Sequence, residues 1–372
     1  MITIKKAETK KDLKAFVKFP FELYKDSKYW VPPIIRQELE TFNTSKNPIF
    51  NVAEATFLLA YKDGKIVGRV AAIINWLEVK KQQQKKMRFG WFDFIDDYEV
   101  SKALLDEVMK IGKSHQLEYT EGPVGFSNLD KVGVMTEGFD YISTMVTWYN
   151  HPYYVNHYLH HGFSEEKSYR ESRFPFANVH PKFFGKAQEI IKRRYQIKAL
   201  NFKTTKSLMP YVDDMFDLFN ASYSALSSFV EITEEQKAYF KKKFISFVNP
   251  EYVKFAVDKD NHLIGFAIVM PSFAEALQKS KGKLFPFGFK HILDAKKRNK
   301  DAIFYLIGIH PDYQNKGIHA IIFNEYYHTF KEKGIKNCYR TPELEDNEAI
   351  DKIWKHFKPE IHKRRKTFRK QL

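Results

Sequence analysis

One plan of elements occurs twice along the 372 residues of this chain, and that repetition narrows the available folds more than any other feature. In the first half, Lys11 to Lys25 carries Leu13, Phe16, Val17 and Leu23 at a helical rhythm. Ala55 to Tyr61 reads as a strand, Lys62-Asp63-Gly64-Lys65 as a hairpin turn, and Ile66 to Ile74 as the returning strand. Arg88 to Phe94 predicts a third strand. Val100 to His115 predicts a helix with Leu104, Leu105, Val108 and Ile111 on one side. Tyr119 to Val124 is a further strand, and Pro152 to His161 a short helix stopped by Gly162.

The second half runs through the same series. Helices are expected at Val212 to Ala225 and Glu234 to Phe247, then strands Tyr252 to Val257 and Leu263 to Met270 around the turn Asp258 to His262. Strand Asp301 to Ile309, helix Gly317 to Lys333, strand Lys336 to Thr341 and helix Glu348 to Phe357 follow. A supersecondary plan repeated over halves of this size implies two similar domains. The expected division is residues 1–170, a connecting segment 171–199 with a helix at Phe183 to Arg194, and residues 200–372.

Hydrophobic residues make up 44% of the chain, which excludes a wholly disordered protein. The single Cys excludes a disulfide framework or a cysteine-rich zinc module. Lys and Arg number 61 against 45 Asp and Glu, a net charge of +16 that favours anionic partners without choosing among cofactor phosphates, nucleic acid and an acidic membrane surface. No apolar run approaches the roughly 20 residues that span a bilayer, and no apolar run follows Lys5-Lys6, so the cytoplasm is the expected compartment.

The most informative segment is Phe304 to Ala320. An apolar strand ends at Ile309, His310-Pro311-Asp312 turns the chain, and Gln314-Asn315-Lys316-Gly317 leads directly into a helix. Backbone N–H groups at a helix start, reinforced by the helix dipole, suit an anion. Gly317 permits close backbone approach and Lys316 adds a full charge. Neither a Walker loop nor a G-x-G-x-x-G is present.

This segment resembles motif A of the GNAT acetyltransferase superfamily, in which a strand, a Pro-containing turn and Gln/Arg-x-x-Gly-x-Gly/Ala hold the coenzyme A diphosphate. Gln314, Gly317 and Ile309-His310-Pro311 match; His319 takes the final Gly/Ala position, with Ala320 one residue late. The resemblance implies an α/β (α+β) fold of two GNAT-like domains, each a mixed, mostly antiparallel sheet flanked by helices. It implies an acyl-CoA-dependent N-acyltransferase, with acetyl-CoA or another acyl-CoA as donor, an unidentified amine as acceptor, and no metal. Leu306, Ile307, Gly308 and Ile309 would hold the pantetheine. Gln314, Asn315, Lys316, Gly317, Ile318, His319 and Ala320 would hold the diphosphate. Asn347, before Ala349, Ile350 and Ile353, looks like the lead residue of the helix that closes the family fold. Trp354 stands where the family often has a Tyr that protonates the thiolate, and Trp has no acidic proton to give. The Gly-Phe that usually ends this helix is Lys358-Pro359 here.

The first half keeps different remnants. No Gln/Arg-x-x-Gly-x-Gly/Ala follows Trp91 to Asp97, and Asp93, Asp96 and Asp97 crowd the place where phosphates would sit. Tyr158 precedes Gly162-Phe163 by the spacing of the family's Tyr, and Glu121 to Asn128 through Asp140 is similar to uncharacterised bacterial acetyltransferase-like proteins. Tandem arrangements of this kind resemble N-myristoyltransferase and the Fem-type aminoacyltransferases. One coenzyme A per chain is expected, in the second half; Tyr158 joins Glu343 and Glu345 as a catalytic candidate, structural or acceptor-facing rather than a thiolate acid.

Candidate bases for the amine proton are Glu231, Glu234, Glu343 and Glu345, of which Glu343 and Glu345 follow the strand bordering the cleft. His157, His160 and His161 share helical spacing but lack the further ligand a metal needs. Cys338 reads as a packed strand residue. The basic clusters Lys80-Lys81 with Lys85-Lys86-Arg88, Lys192-Arg193-Arg194, Lys296-Lys297-Arg298 and Lys363-Arg364-Arg365-Lys366 read as dispersed surface or a phosphate rim ahead of a nucleic-acid face. The rival to the enzyme is a catalytically inactive GNAT-like protein that binds coenzyme A or an anionic partner such as nucleic acid.

Overall fold

The structure is a computed structural model that describes residues 1–226, 229–244, 248–347, 351 and 353–372. It divides into two compact units: Met1–Arg170 with Phe273–Ile292 and His362–Leu372, and Glu171–Ser272 with Leu293–Ile361. These are interleaved in sequence, unlike the contiguous spans 1–170, 171–199 and 200–372 expected above.

The first unit begins with β1 (Ile2–Lys6), α1 (Lys10–Leu23) and α2 (Ile35–Thr41). Thr9 caps α1: its hydroxyl accepts from the Asp12 N–H at 3.1 Å while the Asp12 carboxylate accepts from the Thr9 N–H at 3.1 Å. The hairpin of β2 (Ala53–Lys62) and β3 (Lys65–Asn75) follows, with Asp63 and Gly64 at φ 51° and 76°, the left-handed pair that a twisted two-residue turn requires. Next come β4 (Lys86–Phe94), α3 (Tyr98–Ser114), β5 (Tyr119–Gly122), β6 (Val134–Glu137), α4 (Tyr154–His160) and β7 (Ser164–Pro175), which enters the second unit after Arg170. Strand periodicity covers both sheet faces. Phe57, Leu59, Ala71 and Ile73 join Phe16 and Val17 of α1 in one core. Leu58, Ala60, Val70 and Ala72 join Leu104, Leu105 and Val108 of α3 in another. Full burial of each Val, Leu, Ile or Phe among them contributes roughly 1.5–3 kcal/mol.

The second unit holds α5 (Pro181–Tyr195), β8 (Lys198–Asn201), α6 (Thr205–Leu208), α7 (Val212–Tyr223), α8 (Glu234–Phe244), β9 (Val253–Val257) and β10 (Leu263–Pro271). The chain then forms α9 (Ala274–Ser280) and α10 (Gly288–Arg298), and continues with β11 (Asp301–Ile309), α11 (Ile318–Lys333), β12 (Asn337–Leu344) and β13 (Glu360–Gln371). Of the helix expected at Glu348 to Phe357, residues 348–350 and 352 lie outside the described residues, as do residues 245–247 of the helix expected at Glu234 to Phe247.

The repeated plan is real in the sheets. Each unit runs an antiparallel series, β1-β2-β3-β4 or β8-β9-β10-β11, and then one parallel pair, β4 with β5 or β11 with β12. A register shift falls on the same strand pair in both, between Arg69 and Ala71 opposite β4 and between Ile268 and Val269 opposite β11. In the first unit, the place between β5 and β7 is taken by β13, the C-terminal strand.

Two of the basic clusters each send two of their cations into the interior, while Lys80, Lys81 and Lys85 stay exposed. Lys363 and Arg365 lie on β13 and are fully buried, Lys363 donating to the Ile142 carbonyl at 2.6 Å. Lys86 and Arg88 of β4 point at Glu78, which sits in a tight turn after β3. Arg88 makes two bonds of 2.6 Å to that carboxylate and Lys86 one of 2.8 Å, while Lys86 also reaches Glu121 at 3.1 Å. Burial pushes the Glu78 carboxyl up, but the Arg88 charge and hydrogen bonds, aided by Lys86, outweigh it and hold it at about 2. Its folded pKa lies below the unfolded value, so its contribution is present above the ordinary carboxylate range and fades as pH falls from about 4.5 towards 2. Glu78→Gln takes from buried Arg88 its carboxylate partner and leaves Lys86 with Glu121 alone. It is expected to cost about 3–5 kcal/mol in denaturant unfolding at pH 7 and to flatten the loss of stability below about pH 4.5. An unchanged midpoint and acid limb contradict this.

Candidate functional site

The site is built where β11 parts from β12. The parallel ladder pairs Asp301 with Asn337 through Phe304 with Arg340 and stops there. Thr341 sits at the fork, its hydroxyl donating to the Phe304 carbonyl at 3.1 Å. Beyond it, β11 stays paired to β10 on its other side, Leu306 with Ile268 through Ile309 with Gly265. His310 N–H donates to the Ile264 carbonyl at 2.9 Å. By antiparallel alternation, Gly308 and Leu306 therefore also face β10, and Ile307 and Ile309 face the fork. The Ile307 carbonyl accepts from the Tyr223 hydroxyl of α7 at 3.0 Å, and the Ile309 carbonyl from Gln314 Nε2 at 3.5 Å. The candidate pantetheine residues thus include two whose peptide groups point into the gap.

The strand leads into the loop. Pro311–Tyr313 forms one tight turn, with His310 Nδ1 accepting the Asp312 N–H at 3.3 Å. Asn315 takes φ 60° and Gly317, the N-cap of α11, φ 80°. A left-handed Gly cap supplies no side chain to the helix start. Among the described residues, the backbone N–H groups of Asn315, Gly317, Ile318 and His319 meet no backbone acceptor, whereas Lys316 N–H reaches Tyr313 and Ala320 N–H reaches Gly317. Gln314, Asn315 and Lys316 are exposed. The Lys316 ammonium stands 4.9 Å from the Tyr313 ring and 5.6 Å from the Tyr195 ring of α5. A row of outward N–H groups with a lysine at a helix N-terminus is an anion cradle. His319, the second residue of α11, is held below the usual imidazole range by burial and then by His356, so it adds no charge at neutral pH.

Three residues shape this site without a sequence signal: Thr341 at the fork, Tyr223 on the Ile307 carbonyl, and Ile191, whose Cδ1 lies 2.7 Å from where a Cβ on Gly317 would stand. The proposed catalytic residues are placed less openly. Glu343 lies within β12 and its carboxylate is engaged by Arg340, through Nε at 3.1 Å and a closer second bond. Glu345 follows the strand end, and Asn347 lies two residues further on. Trp354 is buried among Phe174, Phe304, Phe323 and Phe357, with the Arg340 guanidinium 4.8 Å from its ring. Cys338 is buried, and burial followed by Asp301 raises its thiol far above the nucleophilic range.

In the first unit the corresponding helix start is already filled. Asp97 caps α3, its carboxylate accepting from the Glu99 N–H at 3.0 Å and from Lys62 at 2.8 Å. Asp93 is buried against Arg69 at 2.8 Å and the Tyr24 hydroxyl at 2.6 Å, and Asp96 meets His157 at 2.9 Å. His157 and His161 converge on the Ser101 hydroxyl at 2.7 and 2.8 Å. Tyr158 is fully buried, stacked 4.6 Å from Phe368. Burial, then Asp93, raises its phenol well above the usual range. Among the described residues, the one group with metal-compatible spacing is Asp258, Asp260 and His262 at the β9–β10 turn, where the Asp258 carboxylate accepts two backbone N–H groups at 2.9 Å.

No protein-family profile matches the chain. It is 25% identical to Protein YghO of Escherichia coli K12 over 374 residues, covering 98% of this chain and 94% of that one. It is 26% identical over 319 residues to the bacterial ceramide synthase of Caulobacter vibrioides, covering 82% of this chain and 80% of the relative. Among solved structures, a tandem GNAT protein from the clavulanic acid biosynthesis pathway superposes with a TM-score of 0.57 at 10% identity, over all of this chain and 98% of the other. A GCN5-related N-acetyltransferase from Sphaerobacter thermophilus gives 0.53 at 10%, over all of this chain and 95% of the other.

Gly317→Ala places a Cβ at positive φ and against Ile191. It is expected to lose about 1–2 kcal/mol in denaturant unfolding, partly regained in the Gly317→Ala/Ile191→Ala pair relative to Ile191→Ala alone. No loss on the single change contradicts the loop geometry.

Proposed function

We propose that this chain, which has the tandem GNAT fold, is an acyl-CoA-dependent N-acyltransferase whose donor site lies in the second unit. The observation that carries the reading is the forked strand running into an uncapped, lysine-bearing helix N-terminus. Held there, the diphosphate anchors the donor at its remote end, and that binding energy orients the thioester along Ile307 to Ile309. An N–H on the fork side of β11 polarises the thioester carbonyl. The amine nitrogen bonds to the acyl carbon, the carbon–sulfur bond breaks, the electron pair leaves with sulfur, and the amine gives up a proton.

Glu343 and Glu345 are the candidate acceptors of that proton. Glu343 already spends lone pairs on Arg340, and Glu345 follows the end of the same strand, so either would take the proton directly or through water. The buried indole of Trp354 provides no acid for the sulfur. A thiol of ordinary pKa, about 8.5, departs as thiolate near neutral pH at small cost, so that substitution does not forbid turnover. The similarity to a bacterial ceramide synthase supports an acceptor of the class its name implies, a long-chain amino alcohol acylated on nitrogen. Trp354 and the Glu343–Arg340 pair are also what favour the second reading, a non-catalytic protein that binds coenzyme A or another anion.

The test is thiol release from acetyl-CoA and long-chain acyl-CoA with small amines and with sphinganine. Release that requires an amine supports the enzyme; binding of coenzyme A with no release under any pairing supports the second reading. Calorimetric titration is expected to give one coenzyme A per chain. Gly317→Asp is expected to weaken it on the order of tenfold or more, by putting a carboxylate where the diphosphate sits. Unaltered affinity, or two comparable sites, sinks the assignment of the donor site.

A further inference from the structure

Large exposed apolar side chains concentrate in the segment between α9 and α10. Phe285 is 72% exposed and Phe287 65%. The Phe289 ring lies 5.7 Å from that of Phe285, so the phenylalanines form one ridge. The ridge is presented from a fixed base. The Gly282 carbonyl accepts from the Ile35 N–H at 3.0 Å, Phe289 N–H reaches the Leu284 carbonyl at 2.7 Å, and Ile292 is buried. Lysines flank it: Lys281, Lys283 and Lys290 are exposed, and the Lys290 ammonium stands 5.2 Å from the Phe287 ring. Residues 281–300 hold seven Lys or Arg against the single Asp294.

We propose that this segment seats the protein on an anionic phospholipid bilayer, with Phe285 and Phe287 entering the boundary between headgroups and acyl chains and the flanking lysines meeting the phosphates. Exposed aromatic rings ringed by lysine are the chemistry that a charged lipid surface takes up as a whole: apolar area is buried and cationic charge is paired. A second copy of this chain is a poor occupant, since it would bring another +16 chain, and this same basic segment, against the first. A nucleic acid would pair the lysines but not bury the phenylalanine ridge in an apolar phase. The mode is peripheral: no helix among the described residues is long and apolar enough to cross a membrane. The inference is independent of the acyltransferase reading, because it concerns a surface and not the donor site.

Co-sedimentation of the full chain with vesicles tests it, using phosphatidylcholine alone and phosphatidylcholine mixed with phosphatidylglycerol. The wild type is expected to sediment with the mixed vesicles and to be released by high salt. Phe285→Ser/Phe287→Ser changes two exposed rings, so the thermal midpoint is expected to hold while vesicle partitioning falls about tenfold or more. Lys281→Glu/Lys283→Glu/Lys290→Glu is expected to lose the preference for phosphatidylglycerol. Equal partitioning of wild type and the Phe double variant overturns the proposal. So does failure of the wild type to bind mixed vesicles, a dimer in light scattering that the double variant dissolves, or poly(U) RNA that binds through Phe285 and Phe287 in place of vesicles.

Discussion

Past Phe304 and Arg340, β11 and β12 no longer share a ladder, and two adjacent parallel strands leave peptide groups facing a gap. Unpaired backbone polar groups are costly unless something meets them. Here the Thr341 and Tyr223 hydroxyls take the Phe304 and Ile307 carbonyls, and the remaining edge is oriented towards whatever enters the fork. The rest of the second unit serves that opening. The series β8-β9-β10 holds β11 from its other side, α7 supplies Tyr223, and α11 starts with its N–H groups aimed outward from the end of the same strand.

The two units differ at the start of the helix that follows β4 or β11. Both send a strand into a helix after a register shift. In one, the helix is capped by Asp97, which satisfies an N–H with its own carboxylate and fixes negative charge at the helix start. In the other, the cap is Gly317, which leaves the N–H groups open and lets Lys316 stand beside them. The helix dipole has the same sign in both, so the side chain at the cap determines whether an external anion is welcome. Duplication of a fold therefore need not duplicate a binding site. The first unit is free to put Asp93 and Asp96 to structural use with Arg69, Tyr24 and His157.

The hairpins and the loop were legible in the sequence because their signals are local. Alternation over β2 and β3, Asp63-Gly64 at the turn, and Gly317 before an apolar helix each encode geometry within a few residues. What stayed hidden depends on distant partners. Lys363 and Arg365 read as surface charge although they line an interior strand, because hydropathy does not show the Ile142 carbonyl that receives Lys363. Lys86 and Arg88 hid likewise behind Glu78. Tyr158 was placed by its spacing to Gly162-Phe163, but its stacking on Phe368 depends on a strand from the far end of the chain. The Arg340–Glu343 pair was invisible, because a regular strand sends residues three apart to opposite faces.

The most direct measurement of the account is amide hydrogen exchange, resolved by peptide, with and without coenzyme A. The account expects slowed exchange at Asn315 to His319 and along Ile307 to Ile309, with Asp97 to Val100 unaffected. Protection centred on Asp97 to Val100, or coenzyme A binding that leaves Asn315 to His319 exchanging at the unliganded rate, would contradict it.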